Sequence, residues 1–288
     1  MTFSIVAWDS SSPAGPRWGV AVASKFLAVG AIVPWARSRA GAVATQSFAN
    51  LSYGIDGLNS LAFGEDADLV VRTLTEADED RATRQLGIVD SYGRAASFTG
   101  EECFEWAGHR VGDGFCCQGN ILTGPEVVDA MVASFGVGGG SLAERLVKAL
   151  AAGDEKGGDR RGKQSAAVLV VGEGAGYGGK SDTAVDLRVD DHREPVRELG
   201  RLLDLHALIF PDSSDLEFID VDPTLAGEIR ELLQRLAYDP GPGTGYDAKL
   251  RQTLFRFVGT ENLEERWTDE ERVEKGVFEF LRRKASEP

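Results

Sequence analysis

The chain opens Met1-Thr2, and a residue as small as threonine in second place lets an initiator methionine be trimmed. Trimming leaves Thr2 with a side-chain hydroxyl and a free α-amine on one residue. The amine has an unperturbed pKa of about 7.7–8.0, so it is partly neutral near pH 7. It can take the Oγ proton directly or through one water, which makes Thr2 a nucleophile and its own base. The plainer alternative is that Thr2 only begins an edge strand.

A second set of polar residues lies in or beside otherwise apolar runs: Ser24, Thr45, Gln46, Asn50, Gln118, Asn120, Gln164 and Ser165. Polar side chains that become buried must find hydrogen-bond partners. They either pair across strands or line a cleft, where the amides of Gln46 and Asn120 can donate to an oxyanion. Lys25 is the candidate charge partner: near Thr2 it lowers the pKa of the hydroxyl or amine, and it is equally able to pair with Asp9 or Asp90.

Other motifs carry less. Gly174-Ala-Gly-Tyr-Gly-Gly179 has dinucleotide-type glycine spacing after a strand, but Thr183–Val189 reads as another strand. A pyrophosphate site needs a helix N-terminus there, so the run is a glycine-rich hairpin. His109, His192 and His206 lack metal-site spacing, and no metal or other cofactor is expected. Cys103, Cys116 and Cys117 read as buried free thiols, with a Cys103–Cys116 disulfide as the alternative.

The elements that position these residues begin with a hairpin. Residues 2–8 and 18–25 are β-branched, aromatic and small, separated by Ser, Pro and Gly. Strands follow at 41–48, 85–90, 94–98, 115–122, 164–171 and 184–189, with residues 26–36 as an apolar connector. Helices are expected at 55–63 and 66–77, from Pro125, from the capping box Ser141-x-x-Glu144, and from Pro195. Val20 and Val22 alternate with Ala21 and Ala23 instead of charges, so this strand is buried on both faces. Hairpins, blocks of helices and double burial predict an α+β fold, a four-layer α-β-β-α sandwich.

Residues 1–210 form the expected main domain. The stretch 211–222 holds Asp212, Asp215, Glu217, Asp220 and Asp222 without Lys or Arg and reads as an acidic linker. Residues 223–288 read as a small all-α domain with helices near 223–237, 246–258 and 268–284, the last starting at Thr268-x-x-Glu271. The net charge of −15 disfavours nucleic acid and anionic membranes as partners. There is no basic segment before an apolar run and no apolar stretch of about 20 residues. A cytoplasmic location is expected, and the sequence leaves a homo-oligomer open.

Several blocks together resemble one bacterial family, the domain of unknown function 1028. They are Thr2-Phe-Ser-Ile-Val-Ala, Gly19-Val-Ala-Val-Ala-Ser-Lys25, Gly41-Ala-Val-Ala-Thr-Gln46, Gln118-Gly-Asn-Ile-Leu122 and Gly158-Asp-Arg-Arg-Gly-x-Gln-Ser-Ala-Ala167. The resemblance spans about 2–205 and implies the Ntn-hydrolase superfamily, whose members include isoaspartyl peptidases and γ-glutamyltransferases. They cleave amides with an N-terminal Thr, Ser or Cys on the first strand, a pattern that Thr2 matches. Those relatives expose the nucleophile by internal autoproteolysis, whereas here only Met1 precedes it. The tail resembles, more weakly, a peptidoglycan-binding module, on Asp247 to Phe257 and Glu261-Asn-Leu-Glu-Glu-Arg266.

The expectation is therefore an amidohydrolase with Thr2 as nucleophile and Lys25 beside it, acting on a small amide or peptide-like substrate such as a muropeptide. The alternative is a catalytically inactive module of the same fold that binds peptide or peptidoglycan fragments.

Overall fold

The computed structural model describes residues 2–12, 14–211 and 216–286. They divide into two compact units, Met1–Leu203 and Asp204–Pro288, with the division inside one helix.

The first unit is organised around the N-terminal strand. β1 (Thr2–Asp9) pairs antiparallel with β2 (Arg17–Ser24), Trp8 opposite Trp18 and Phe3 opposite Ala23. The other edge of β1 takes β8 (Phe115–Asn120), which sets Asn120 opposite Thr2. β2 takes β9 (Ser165–Val171), which sets Ser165 opposite Ser24. With β7 (Gly108–Gly112) and β10 (Thr183–Val189) at the edges, the sheet order is β10-β9-β2-β1-β8-β7. A second antiparallel sheet runs β3 (Pro34–Arg37), β4 (Gly41–Ser47), β5 (Arg84–Asp90), β6 (Ala95–Thr99). β3 arises from the segment expected to be a connector, and the edge strand β7 was not expected; only half-buried or exposed side chains leave it without an apolar alternation.

Strand alternation then sorts the core into layers of contact. Phe3, Ile5 and Ala7 of β1 and Ala21 and Ala23 of β2 pack against α3 (Glu126–Val137), α4 (Leu142–Glu155) and α5 (Pro195–Ile209). The expected capping box is present at the start of α4, Ser141 and Glu144 each bonding the other's backbone N–H. Val6, Trp18, Val20 and Val22 face the opposite way and meet Ala42, Ala44 and Val89 of the second sheet. The far side of that sheet, through Val43, Leu86 and Ile88, packs on α1 (Ser52–Ala62) and α2 (Ala67–Glu76). Each fully buried Val, Leu, Ile or Phe in these clusters contributes about 1.5–3 kcal/mol. The three cysteines are free and buried, so the disulfide alternative is not taken up.

The second unit is helical: α6 (Pro223–Arg235), α7 (Ala248–Thr260) and α8 (Lys275–Lys284) enclose Ile229, Leu233, Leu254, Phe257 and Leu281. Asp222, Asp247 and Glu274 cap the three helices through their carboxylates. The all-α expectation needs one correction. β12 (Arg272–Glu274) pairs with β11 (Phe218–Asp220), so the last helix starts at Lys275 and not near Thr268. Val273, buried between charged neighbours, holds that short ladder in place. Of the acidic stretch, Asp212–Asp215 lie outside the described residues, and Phe218–Asp220 are in β11.

Candidate functional site

The gap between the two sheets has an apolar half and a polar half. Continuing the alternation of β1, β2, β5 and β8 beyond Val6, Val22, Val89 and Cys116 brings Thr2, Ser4, Ser24, Gln85, Gln118 and Asn120 onto the same inner faces. Gln46 arrives from β4, two residues past Ala44. All are buried, Thr2 to 6% exposure and the others to 2% or less.

Their hydrogen bonds form one directed chain. Gln118 Nε2 donates to Ser4 Oγ at 2.7 Å, and Ser4 Oγ donates to Gln46 Oε1 at 2.7 Å. Gln46 Nε2 donates to Gln85 Oε1 at 2.8 Å, which also accepts from Asn120 Nδ2 at 2.9 Å. Gln85 Nε2 reaches Gly119 O at 2.8 Å and Thr99 Oγ1 at 3.0 Å, and Thr99 Oγ1 lies 2.8 Å from His109 Nδ1. The Thr99 hydroxyl, with one proton and two lone pairs, links the Gln85 amide to the His109 ring. Burial, then the charge of Arg110, lowers the His109 pKa and keeps the ring neutral. Such chains polarise each other and rigidify a polar core. Gln118 crosses to the second sheet at Gly87, where a Cβ would sit 2.3 Å from its Oε1.

Thr2 joins this network at its edge. Its Oγ1 lies 3.1 Å from Ser24 Oγ, and its carbonyl accepts from Gln46 Nε2 at 3.4 Å. Met1, and with it the question of trimming, lies outside the described residues. A hydroxyl so placed, at the head of a central strand and beside a second hydroxyl and several amides, has the groups for attack on a carbonyl and for hydrogen bonding to the oxyanion.

The chain leaves the surrounding strand ends through strained backbone. Ala28, Ser47 and Ile121 adopt positive φ (52°, 71° and 51°), which for β-branched Ile121 is a marked outlier. Exposed apolar side chains stand on the same connections: Phe26 and Leu27 after β2, Phe48 after β4, and Phe104, whose carbonyl accepts from Ile121 N and whose ring meets Phe48 at 6.0 Å.

The remaining candidates divide. Ser165 Oγ donates to Phe26 O and accepts from Val29 N, so it pins the connection after β2 without entering the amide chain. Lys25 has an exposed side chain, and its N–H donates to the buried carboxylate of Asp159 at 2.7 Å. Asp9 instead pairs with Arg145 and Asp90 with Arg94. Gln164 donates to Asp191 on the surface. Thr45 points away from Thr2, toward α1, and its Oγ1 donates to Asn50 O.

Asn50 belongs to a separate cluster. Its Nδ2, Tyr53 OH and Arg84 Nε all converge on Asp78 Oδ2, at 3.1, 2.9 and 3.0 Å. Burial opposes ionisation of Asp78, but the hydrogen bonds from Arg84, Asn50, Tyr53 and the Asp80 N–H outweigh it and hold the carboxyl well below the usual range. Burial, then Asp78, raises the Tyr53 pKa. A carboxyl whose folded pKa is depressed stabilises the fold above its unfolded pKa of about 3.9 and loses that contribution as pH falls toward the folded value. Asp78→Asn is expected to cost about 2–4 kcal/mol at pH 7, since Arg84 loses its buried carboxylate and keeps only the exposed one of Asp80. The gap from wild type should narrow below about pH 4. Thermal melts of both proteins at pH 7 and pH 3 check this; a pH-independent gap would mean the cluster acts by packing alone.

Ser4, Gln85, Thr99 and His109 were not picked out as site residues from the sequence. The signal is present for two of them: Ser4 shares a strand face with Thr2, and Gln85 directly precedes the apolar run Leu86–Val89 of β5. Among the described residues no group of His, Cys, Asp or Glu is placed to hold a metal. Burial pushes the Cys116 thiol up to about 12 and holds Cys117 well above its ordinary value, so neither is a thiolate nucleophile.

Residues 2–199 match the model of the "Family of unknown function (DUF1028)". The chain belongs to that family. The crystal structure of protein SPO2555 from Silicibacter pomeroyi, assigned to the same family, is similar at 30% identity and a TM-score of 0.65. That similarity covers 74% of this chain and 92% of the other. The whole site lies within the DUF1028 region. Residues 215–281 match the "Putative peptidoglycan binding domain" family. Among curated proteins there is no match. Among the described residues no helix is long and apolar enough to cross a membrane.

Proposed function

We propose that this DUF1028 protein is an Ntn-type amide hydrolase with Thr2 as its nucleophile once Met1 is removed. The single observation that carries this is Thr2 Oγ1, 3.1 Å from Ser24 Oγ at the head of the central strand and at the edge of a buried amide network. Helices against one sheet, two sheets face to face and helices against the other support the four-layer α-β-β-α arrangement of that superfamily.

Thr2 Oγ attacks the amide carbonyl while the α-amine takes its proton. The C–N bond then breaks, and the leaving amine receives that proton. A water, deprotonated by the same amine, hydrolyses the resulting ester and restores the hydroxyl. Ser24, Gln46 and Asn120, the last opposite Thr2 in the ladder, supply the oxyanion donors. Lys25 contributes positive charge at the strand end. No cofactor is required, because nucleophile and base are one residue.

The match at residues 215–281 supports a muropeptide or related wall fragment as substrate. A cytoplasmic enzyme meets such material as fragments taken up from the wall.

One observation favours a second reading, a binding module without catalysis. The amides of Gln46 and Asn120 already bond that of Gln85, the Gln118 amide bonds Ser4, and Thr2 is only 6% exposed. An oxyanion hole works when donors are aimed at the developing charge beforehand, so catalysis requires some of these bonds to be redirected.

Intact-mass spectrometry combined with turnover of a panel of small amides and muropeptides separates the two. The hydrolase reading expects a chain beginning at Thr2 and release of free amine. A uniformly Met1-bearing chain that turns over nothing would overturn the hydrolase reading.

A further inference from the structure

α7 carries an aromatic residue where helix geometry puts solvent. Leu250, Leu254, Phe257 and Val258 face the core of the second unit. Ala248, Arg251, Gln252 and Phe255, at i, i+3, i+4 and i+7, form the opposite stripe, and Phe255 is 48% exposed. This stripe and the segment Trp267–Asp269 line a groove of about 330 Å³. The Phe255 and Trp267 rings meet at 5.0 Å and 59° and form its apolar wall.

The polar groups beside that wall are held in position with hydrogen-bonding capacity left over. Asp269 Oδ1 accepts from Arg251 Nη2 at 2.5 Å and from Trp267 Nε1 at 3.3 Å. Those bonds lower the Asp269 pKa and keep it ionised. Among the described residues Oδ2 takes no partner, Arg251 commits only Nη2, and the Gln252 amide takes none.

We propose that this groove is a saccharide-binding site for an N-acetylated amino sugar. The choice of ligand rests on the wall-fragment reading above. A sugar ring has an apolar face of C–H groups, which suits the Phe255–Trp267 wall. Its hydroxyl edge suits a carboxylate acceptor and a guanidinium donor fixed beside that wall. The acetamido group adds a methyl for the rings and an amide for Asp269 Oδ2 and Gln252. An extended peptide offers no comparable apolar face, and a purely ionic ligand would leave the aromatic wall unused.

The test is isothermal titration of the full-length protein with an N-acetylglucosamine tetramer. A glucose tetramer tests the acetamido group, and an unglycosylated muropeptide stem tests the sugar. Phe255→Ala and Arg251→Ala are the variants, each first checked by its melting curve, since both side chains project from the exposed stripe. The N-acetylated tetramer is expected to bind in preference to both controls, with at least tenfold weaker binding in each folded variant. Equal binding by the variants, binding of the stem peptide alone, or no sugar binding at all overturns the proposal. So does a concentration-dependent dimer lost in Phe255→Ala without sugar binding, which assigns the groove to a second copy. Turnover by the unsubstituted protein provides the separation: sugar binding without any turnover of muropeptides or small amides by that protein removes the hydrolase reading and leaves the groove standing.

Discussion

Thr2→Ala is expected to reduce amide turnover by a factor of about 10³ or more, the scale seen when a catalytic nucleophile is removed. The strand should survive, since Ala keeps the ladder with β2 and β8 while the 3.1 Å contact to Ser24 Oγ is lost. A single hydrogen bond is worth about 1 kcal/mol net, so the melting temperature should move by only a few degrees. Thr2→Ser keeps the hydroxyl and should retain partial activity. An untrimmable residue placed ahead of Thr2 turns the amine into an amide and should be as damaging as Ala, because the base is gone while the hydroxyl stays. Turnover measured across these three proteins separates nucleophile from base. Activity that survives both the Ala substitution and the blocked amine would place the chemistry elsewhere, with Lys25 the next residue to change.

The sequence shows this site unevenly, for physical reasons. Polar residues in apolar strands mark burial, and Gln46, Gln118, Asn120 and Ser24 do converge near Thr2. Thr45 breaks the pattern because neighbours on a strand point to opposite faces. One residue from Gln46, it meets α1 and not the intersheet gap. Gln85 is the hub of the network, yet its role depends on the register of β5 against β4 and on the facing sheet, which no local window contains. His109 looked isolated because its partner, Thr99, comes from a different sheet. The C-terminal ladder was hidden for another reason. Three residues are too few for strand periodicity to outweigh a good capping motif at Thr268, and only Phe218 opposite Glu274 and Ile219 opposite Val273 reveal it.

The apolar half of the intersheet gap supports a second large effect, this time on stability. Val22 is fully buried and pairs with Ser4 on one side and Ala167 on the other. Its face belongs with the apolar side chains of Val6, Val20, Ala42, Ala44 and Val89. Val22→Asp is therefore expected to destabilise the protein by about 3–5 kcal/mol, as an unpaired carboxylate enters a packed core. For a unit of this size that corresponds to a fall in melting temperature of about 10 °C or more. The pH dependence has a definite sign. Burial raises the pKa of the new carboxyl in the folded state, so the unfolded chain binds fewer protons between the unfolded pKa of about 3.9 and the folded value. Stability of the variant should fall as pH rises through that window, and its deficit should be smallest at acid pH. Val22→Thr, of the same shape, should cost less, because a hydroxyl can bond a strand carbonyl. Melts of the three proteins at pH 4 and pH 7 decide the matter: an unchanged melting temperature for Val22→Asp would mean that β2 does not face a second sheet, and the frame that brings Gln46 and Gln85 to Thr2 would go with it.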